Sequence, residues 1–163
     1  MLYLLVQSGP DYFAIEALHI VEVIPLVCIE PLAGTPPSQA GFIRYHDTAV
    51  AVHDLTKLLA PGQRPPSARM STRIVMLRHP AHPDPLGLRV DKVAYTLPAD
   101  PSNFKPVGLG LDHQGFVTGI WMNGPKIIHA LDVVRLLEHL ASNPSARNRA
   151  ARPLWITPES KSF

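Results

Sequence analysis

One cysteine, Cys28, is the entire thiol content of the 163 residues, so no disulfide can form within the chain. It lies in the apolar run Ile24-Pro25-Leu26-Val27-Cys28-Ile29 and reads as a small buried hydrophobe rather than a nucleophile. Charge is also scarce: Asp, Glu, Lys and Arg make up 17% of the chain, and the net charge is only +2. A nucleic-acid-binding domain concentrates Lys and Arg on one face, whereas here they are spread thinly. No apolar run approaches the roughly 18 residues of a membrane span. The apolar start, Met1 to Val6, is short and lacks the basic flank of a signal peptide, so a cytoplasmic protein is expected.

Catalytic signatures are missing as well. There is no Gly-x-Ser-x-Gly and no phosphate loop, and Gly108-x-Gly110 lacks both the rest of a dinucleotide fingerprint and a following helix. His79, His82 and Asp84 stand among Pro80, Pro83 and Pro85 with no third histidine near, a solvated loop rather than a metal site. In His46-Asp47 and His53-Asp54 the partners are neighbours on candidate strands. Strand neighbours point to opposite faces, so neither pair forms a His–Asp relay. No catalytic residue, metal ligand or cofactor site is assigned.

What the chain does have is 46% hydrophobic residues, punctuated by 18 prolines and 10 glycines, the composition of a globular domain with many turns. Strands are expected at Leu2–Gln7, Tyr12–Ile15, Val21–Ile24, a hairpin over residues 41–52, Thr72–Arg78 and Leu86–Val93. A second hairpin, Phe116–Trp121 with Lys126–Leu131, turns about Asn123-Gly124. Asp54 and Asp132 stand where helix N-caps belong, before Leu55–Leu59 and Val133–Leu140. In the second helix Val133, Leu136, Leu137 and Leu140 share one face.

This is a mainly β chain with short helices and a C-terminal helix. Its two sets of strands, before and after a Pro-rich loop at 60–70, suggest two small barrels. Beyond Ala141 the chain becomes basic and proline-broken, with Arg147, Arg149 and Arg152, a tail expected to be mobile. Glu22 and His46 lie on candidate strands amid apolar neighbours. They either face solvent or form a cross-strand charged pair at a groove edge, where Arg44 joins or replaces His46.

Four segments, in order, resemble the CheW-like adaptors of bacterial chemosensory systems. Val21-Glu22-Val23-Ile24 resembles the family's V-x-E-V-I region. Pro36-Pro37 and the stretch from Gly41 to Leu55 resemble its G-hydrophobic-x-x-x-R-G … P-V-x-D-L pattern. Gly87-Leu88-Arg89-Val90-Asp91-Lys92-Val93 matches its G-x-x-V-D-x-V, and Ile127 to Leu137 resemble its final strand and helix. Val-Glu-Val-Ile-Pro-Leu with Tyr45-His46 is most similar to the adaptors of Wsp-like surface-sensing systems.

The resemblance implies two five-stranded SH3-like β-barrels sharing a hydrophobic seam, one domain over residues 1–141 followed by a tail at 142–163. It implies no catalysis and no cofactor. It implies a scaffold between a chemoreceptor's cytoplasmic tip and the regulatory domain of a CheA-type histidine kinase, in receptor-associated arrays. The receptor helix would lie in a groove between the barrels, with Ile20, Glu22, Arg44, His46 and Arg73 as receptor-binding positions. Kinase-binding residues stay unassigned. The chain departs from the family where the arginine, the following glycine and the proline are expected: His46, Asp47 and Ala51 stand there. The alternative is a β-barrel module contacting nucleic acid through its basic tail.

Overall fold

Strands that are apolar at every position need two buried faces. Tyr3-Leu4-Leu5-Val6 and Ile74-Val75-Met76-Leu77 are such runs, and the computed structural model, which describes residues 1–31, 33–35, 37–65, 67–108 and 115–142, shows why. The element order is β1 (Leu2–Ser8), β2 (Asp11–Glu16), β3 (Ile20–Pro25), β4 (Gln39–Tyr45), β5 (Thr48–Asp54), α1 (Leu55–Leu59), β6 (Arg73–Leu77), β7 (Leu86–Val90), β8 (Lys92–Pro98), β9 (Lys105–Pro106), β10 (Val117–Asn123), β11 (Lys126–Leu131) and α2 (Val133–Ala141). These strands form two SH3-like sub-domains. One sheet has six strands in the order β8-β1-β2-β11-β10-β9, the other five in the order β3-β6-β7-β5-β4.

Alternation along each run divides the apolar side chains between three cores. Tyr3 and Leu5 fill the inside of the six-stranded sheet with Ala14 and Ile128. Ile74 and Met76 fill the inside of the other with Ile43, Val50 and Val52. The intervening residues, Leu4, Val6, Val75 and Leu77, point the other way and meet in the seam between the sheets, joined by Leu88, Leu136 and Leu140. The seam is the largest of the three, so each sheet relies on the other for burial.

Both sheets follow one plan: two antiparallel hairpins whose second strands run side by side in parallel, β2 with β11 and β5 with β7. A helix leaves the end of β5 and another the end of β11. Asp54 and Asp132 cap them, accepting hydrogen bonds from the backbone N–H of Lys57 at 3.3 Å and of Arg135 at 3.0 Å. Asp54 also takes the guanidinium of Arg89 on β7 at 2.7 Å, a buried ion pair that ties the helix start to the parallel strand.

Several expectations need correction. The sheets do not divide at the 60–70 loop; β6 and β7 join the sheet of β3 to β5, while β8 to β11 return to β1 and β2. The strand expected over Leu86–Val93 is two strands in different sheets, broken at Asp91. Asp91 accepts from Gly9 N–H at 2.6 Å and donates its own N–H to Gln7 O, which turns the chain from one sheet to the other. Cys28 is exposed, because it follows the end of β3 and lies outside all three cores. No helix among the described residues is long and apolar enough to cross a membrane. The arginine-rich tail from residue 143 lies outside the described residues.

Candidate functional site

The β4–β5 hairpin turns on two residues. Tyr45 pairs with Thr48, and His46 and Asp47 between them have φ of 46° and 61°. Two left-handed residues make a type I′ turn, which prefers Asn and Gly. His46 packs its ring edge-on against Tyr45, with centroids 4.3 Å apart. Asp47 accepts a bond from Arg44 at 2.8 Å on an exposed surface. Replacing Asp47 by Gly removes a left-handed Cβ and loses a solvent-screened pair of small worth. Asp47→Gly is expected to stabilise the fold by about 0.5–1 kcal/mol, read from urea midpoints.

β3 and β4 are the two edges of their sheet, yet the sheet curls until the Tyr45 hydroxyl donates to Glu22 Oε2 at 2.5 Å. That hydrogen bond first, then desolvation and the Glu22 charge, hold the Tyr45 phenol above its ordinary pKa. Val21, the unpaired bulge residue of β3, then forms a shallow concavity of about 370 Å³ with Tyr45, His46, Arg78, His82, Pro83, Asp84 and Pro85. Val21 leaves large apolar surface exposed here.

The expected site residues divide accordingly. Ile20 and Glu22 lie on β3 and His46 at the turn facing it, at one end of the sheet. The expected pairing of Glu22 with Arg44 or His46 is replaced by Glu22 with Tyr45. Alternation sends Arg44 to the other strand face, where it meets Asp47. Arg73 pairs with Pro25 and Ile20 with Leu77, so Arg73 stands at the far end of the β3–β6 ladder, roughly 13 Å from Ile20. Its guanidinium is committed to the carbonyls of Met70 and Thr72. The arginine beside the concavity is Arg78, whose N–H donates to His19 O at 2.8 Å. Its signal in the sequence was an arginine ending a four-residue apolar run.

Of the other candidates, the rings of His79 and His82 meet at a tilt with centroids 4.3 Å apart, and no metal-binding group of three His, Cys, Asp or Glu occurs among the described residues. His53 is buried on β5, facing the seam rather than Asp54. Burial, then the nearby His139, lowers its pKa to about 4. The unfolded chain therefore binds one more proton between about pH 6.5 and 4. Stability from His53 is complete above pH 6.5 and is lost as pH falls toward 4, by about 3 kcal/mol. His53→Gln is expected to flatten the pH dependence of the unfolding free energy by close to one proton in that window.

Sequence and fold comparisons agree with this architecture. The profile of the CheW-like domain matches residues 2–141. No curated protein matches the chain. Among solved structures, the crystal structure of the scaffolding protein TtCheW from Thermoanaerobacter tengcongensis superposes with a TM-score of 0.72. It shares 22% sequence identity over 81% of this chain and 84% of that one. The nucleic-acid alternative gains no support from either match.

Proposed function

The chain belongs to the CheW-like domain family, the coupling adaptors of chemosensory signal transduction, and we propose that it links the cytoplasmic tip of a chemoreceptor to the regulatory domain of a CheA-type histidine kinase. The observation that carries this reading is the match across both sheets and their seam, residues 2–141. The concavity around Val21, Tyr45 and Arg78 is the receptor face, with Glu22 holding Tyr45 in place. His46 lines it, Ile20 next to Val21 packs against the seam, and Arg44 and Arg73 take part only from its surroundings. An amphipathic helix fits such a face through an apolar anchor on Val21, with a carboxylate opposite Arg78. Nothing in this role requires catalysis or a cofactor; the signal passes through contact geometry. The working place is the cytoplasmic face of receptor arrays.

Calorimetric titration tests the reading one partner at a time. The chain is expected to bind the purified kinase regulatory domain and a receptor-tip helical hairpin independently, each with micromolar affinity. No heat with either partner at tens of micromolar, from a chain that melts cooperatively, contradicts it.

A further inference from the structure

Between α1 and α2 lies a cavity of about 760 Å³, within the size range of small-molecule sites and away from the concavity described above. Its inner wall is apolar, built by Leu58, Phe116 and Leu140. The charged residues that line it are both cations, Lys57 and Arg64, and no Asp or Glu is among its described lining residues. Arg44 is paired with Asp47 and Arg89 with Asp54. Lys57 and Arg64 have no carboxylate partner among the described residues.

A second observation comes from the strand behind the wall. Gln39 pairs with His53 across the β4–β5 ladder, so the two share a sheet face, and His53 lines the cavity. Gln39 is 5% exposed, and neither its amide nitrogen nor its oxygen has a hydrogen-bond partner. Buried side-chain amides are nearly always satisfied in folded proteins. This one keeps a donor and an acceptor uncommitted beside an accessible cavity.

We propose that this cavity binds a small organic anion with an apolar body, the head held by Lys57 and Arg64 and the body packed on Leu58, Phe116 and Leu140. α1 follows β5 and α2 follows β11, so an occupant touches both sub-domains. It therefore stiffens the seam across which they are arranged. A carboxylate and a phosphate ester share the chemistry the rim selects.

Octanoate, octyl phosphate, octanol and octylamine serve as probes in calorimetric titrations of the full chain. At least one of the two anions is expected to bind one per chain, ten-fold or more tighter than octanol or octylamine. The double variant Lys57→Gln/Arg64→Gln, both side chains outside the cores, is expected to melt as the parent does and to lose that preference at least ten-fold. Binding of both anions no tighter than octanol overturns the proposal, as does an unchanged anion preference in the double variant. Absence of binding by any probe at millimolar concentration does the same.

Discussion

Gly41→Ala is expected to lower the unfolding free energy by about 3–5 kcal/mol, the sum of backbone strain and two lost hydrogen bonds. Gly41 has φ of 148°, a conformation that L side chains rarely adopt. A Cβ there would stand 2.2 Å from the backbone oxygen of Glu30. That oxygen accepts from Phe42 N–H at 2.8 Å, and Glu30 N–H donates back to Phe42 O at 2.8 Å. The bridge covers the open edge of β4, and Ala40 beside it is the extra residue of a bulge. Added methyl and bridge cannot coexist, so β4 must leave Glu30 or bend. Gly9→Ala is the control: φ there is 59°, but nothing lies within 4 Å of the new Cβ. It should cost about 1–2 kcal/mol, strain without a clash. A loss at Gly41 no larger than at Gly9 would falsify the account of this edge.

Glu22→Arg is expected to weaken receptor-tip binding at least ten-fold, about 1.4 kcal/mol, while leaving kinase binding unchanged. Glu22 is exposed, so its replacement disturbs no core and the melting temperature should stay within a few degrees. The effect is local. The Tyr45 hydroxyl loses its acceptor, and a second cation arrives beside the face that Arg78 already lines. A partner carboxylate cannot satisfy both without a new arrangement. Tyr45→Phe removes the hydrogen bond but keeps the ring against His46, and is expected to give a smaller loss. Binding of Glu22→Arg at the parent's affinity removes Glu22 from the receptor face.

Much of the fold was legible because its signals are local. Apolar runs located most of the strands, though not β9 or the latter part of β8, Asn123-Gly124 located the hairpin turn, and Asp54 and Asp132 located both helix starts. The pairing of strands far apart in sequence carried no such mark. The parallel contacts of β5 with β7 and β2 with β11 decide which strands share a sheet, and nothing in either strand records its partner. The partner of Glu22 was missed by one residue for a related reason. Alternation showed that Arg44 and Tyr45 face opposite ways, but which face meets β3 depends on the curl of the whole sheet. The same holds for Arg73, which opens β6, and Arg78, which follows it: register against β3 puts Arg78, not Arg73, next to Val21. His46, where the family carries arginine, contributes a ring on Tyr45 rather than a charge on Glu22.

Bridging is the central claim, and co-sedimentation tests it most directly. Receptor-tip fragments displayed on vesicles are spun with the kinase regulatory domain, with and without the chain. The account predicts that the kinase domain pellets only when the chain is present, and that Glu22→Arg abolishes the pelleting. Kinase domain left in the supernatant with folded chain at tens of micromolar, or pelleted equally without it, contradicts the account.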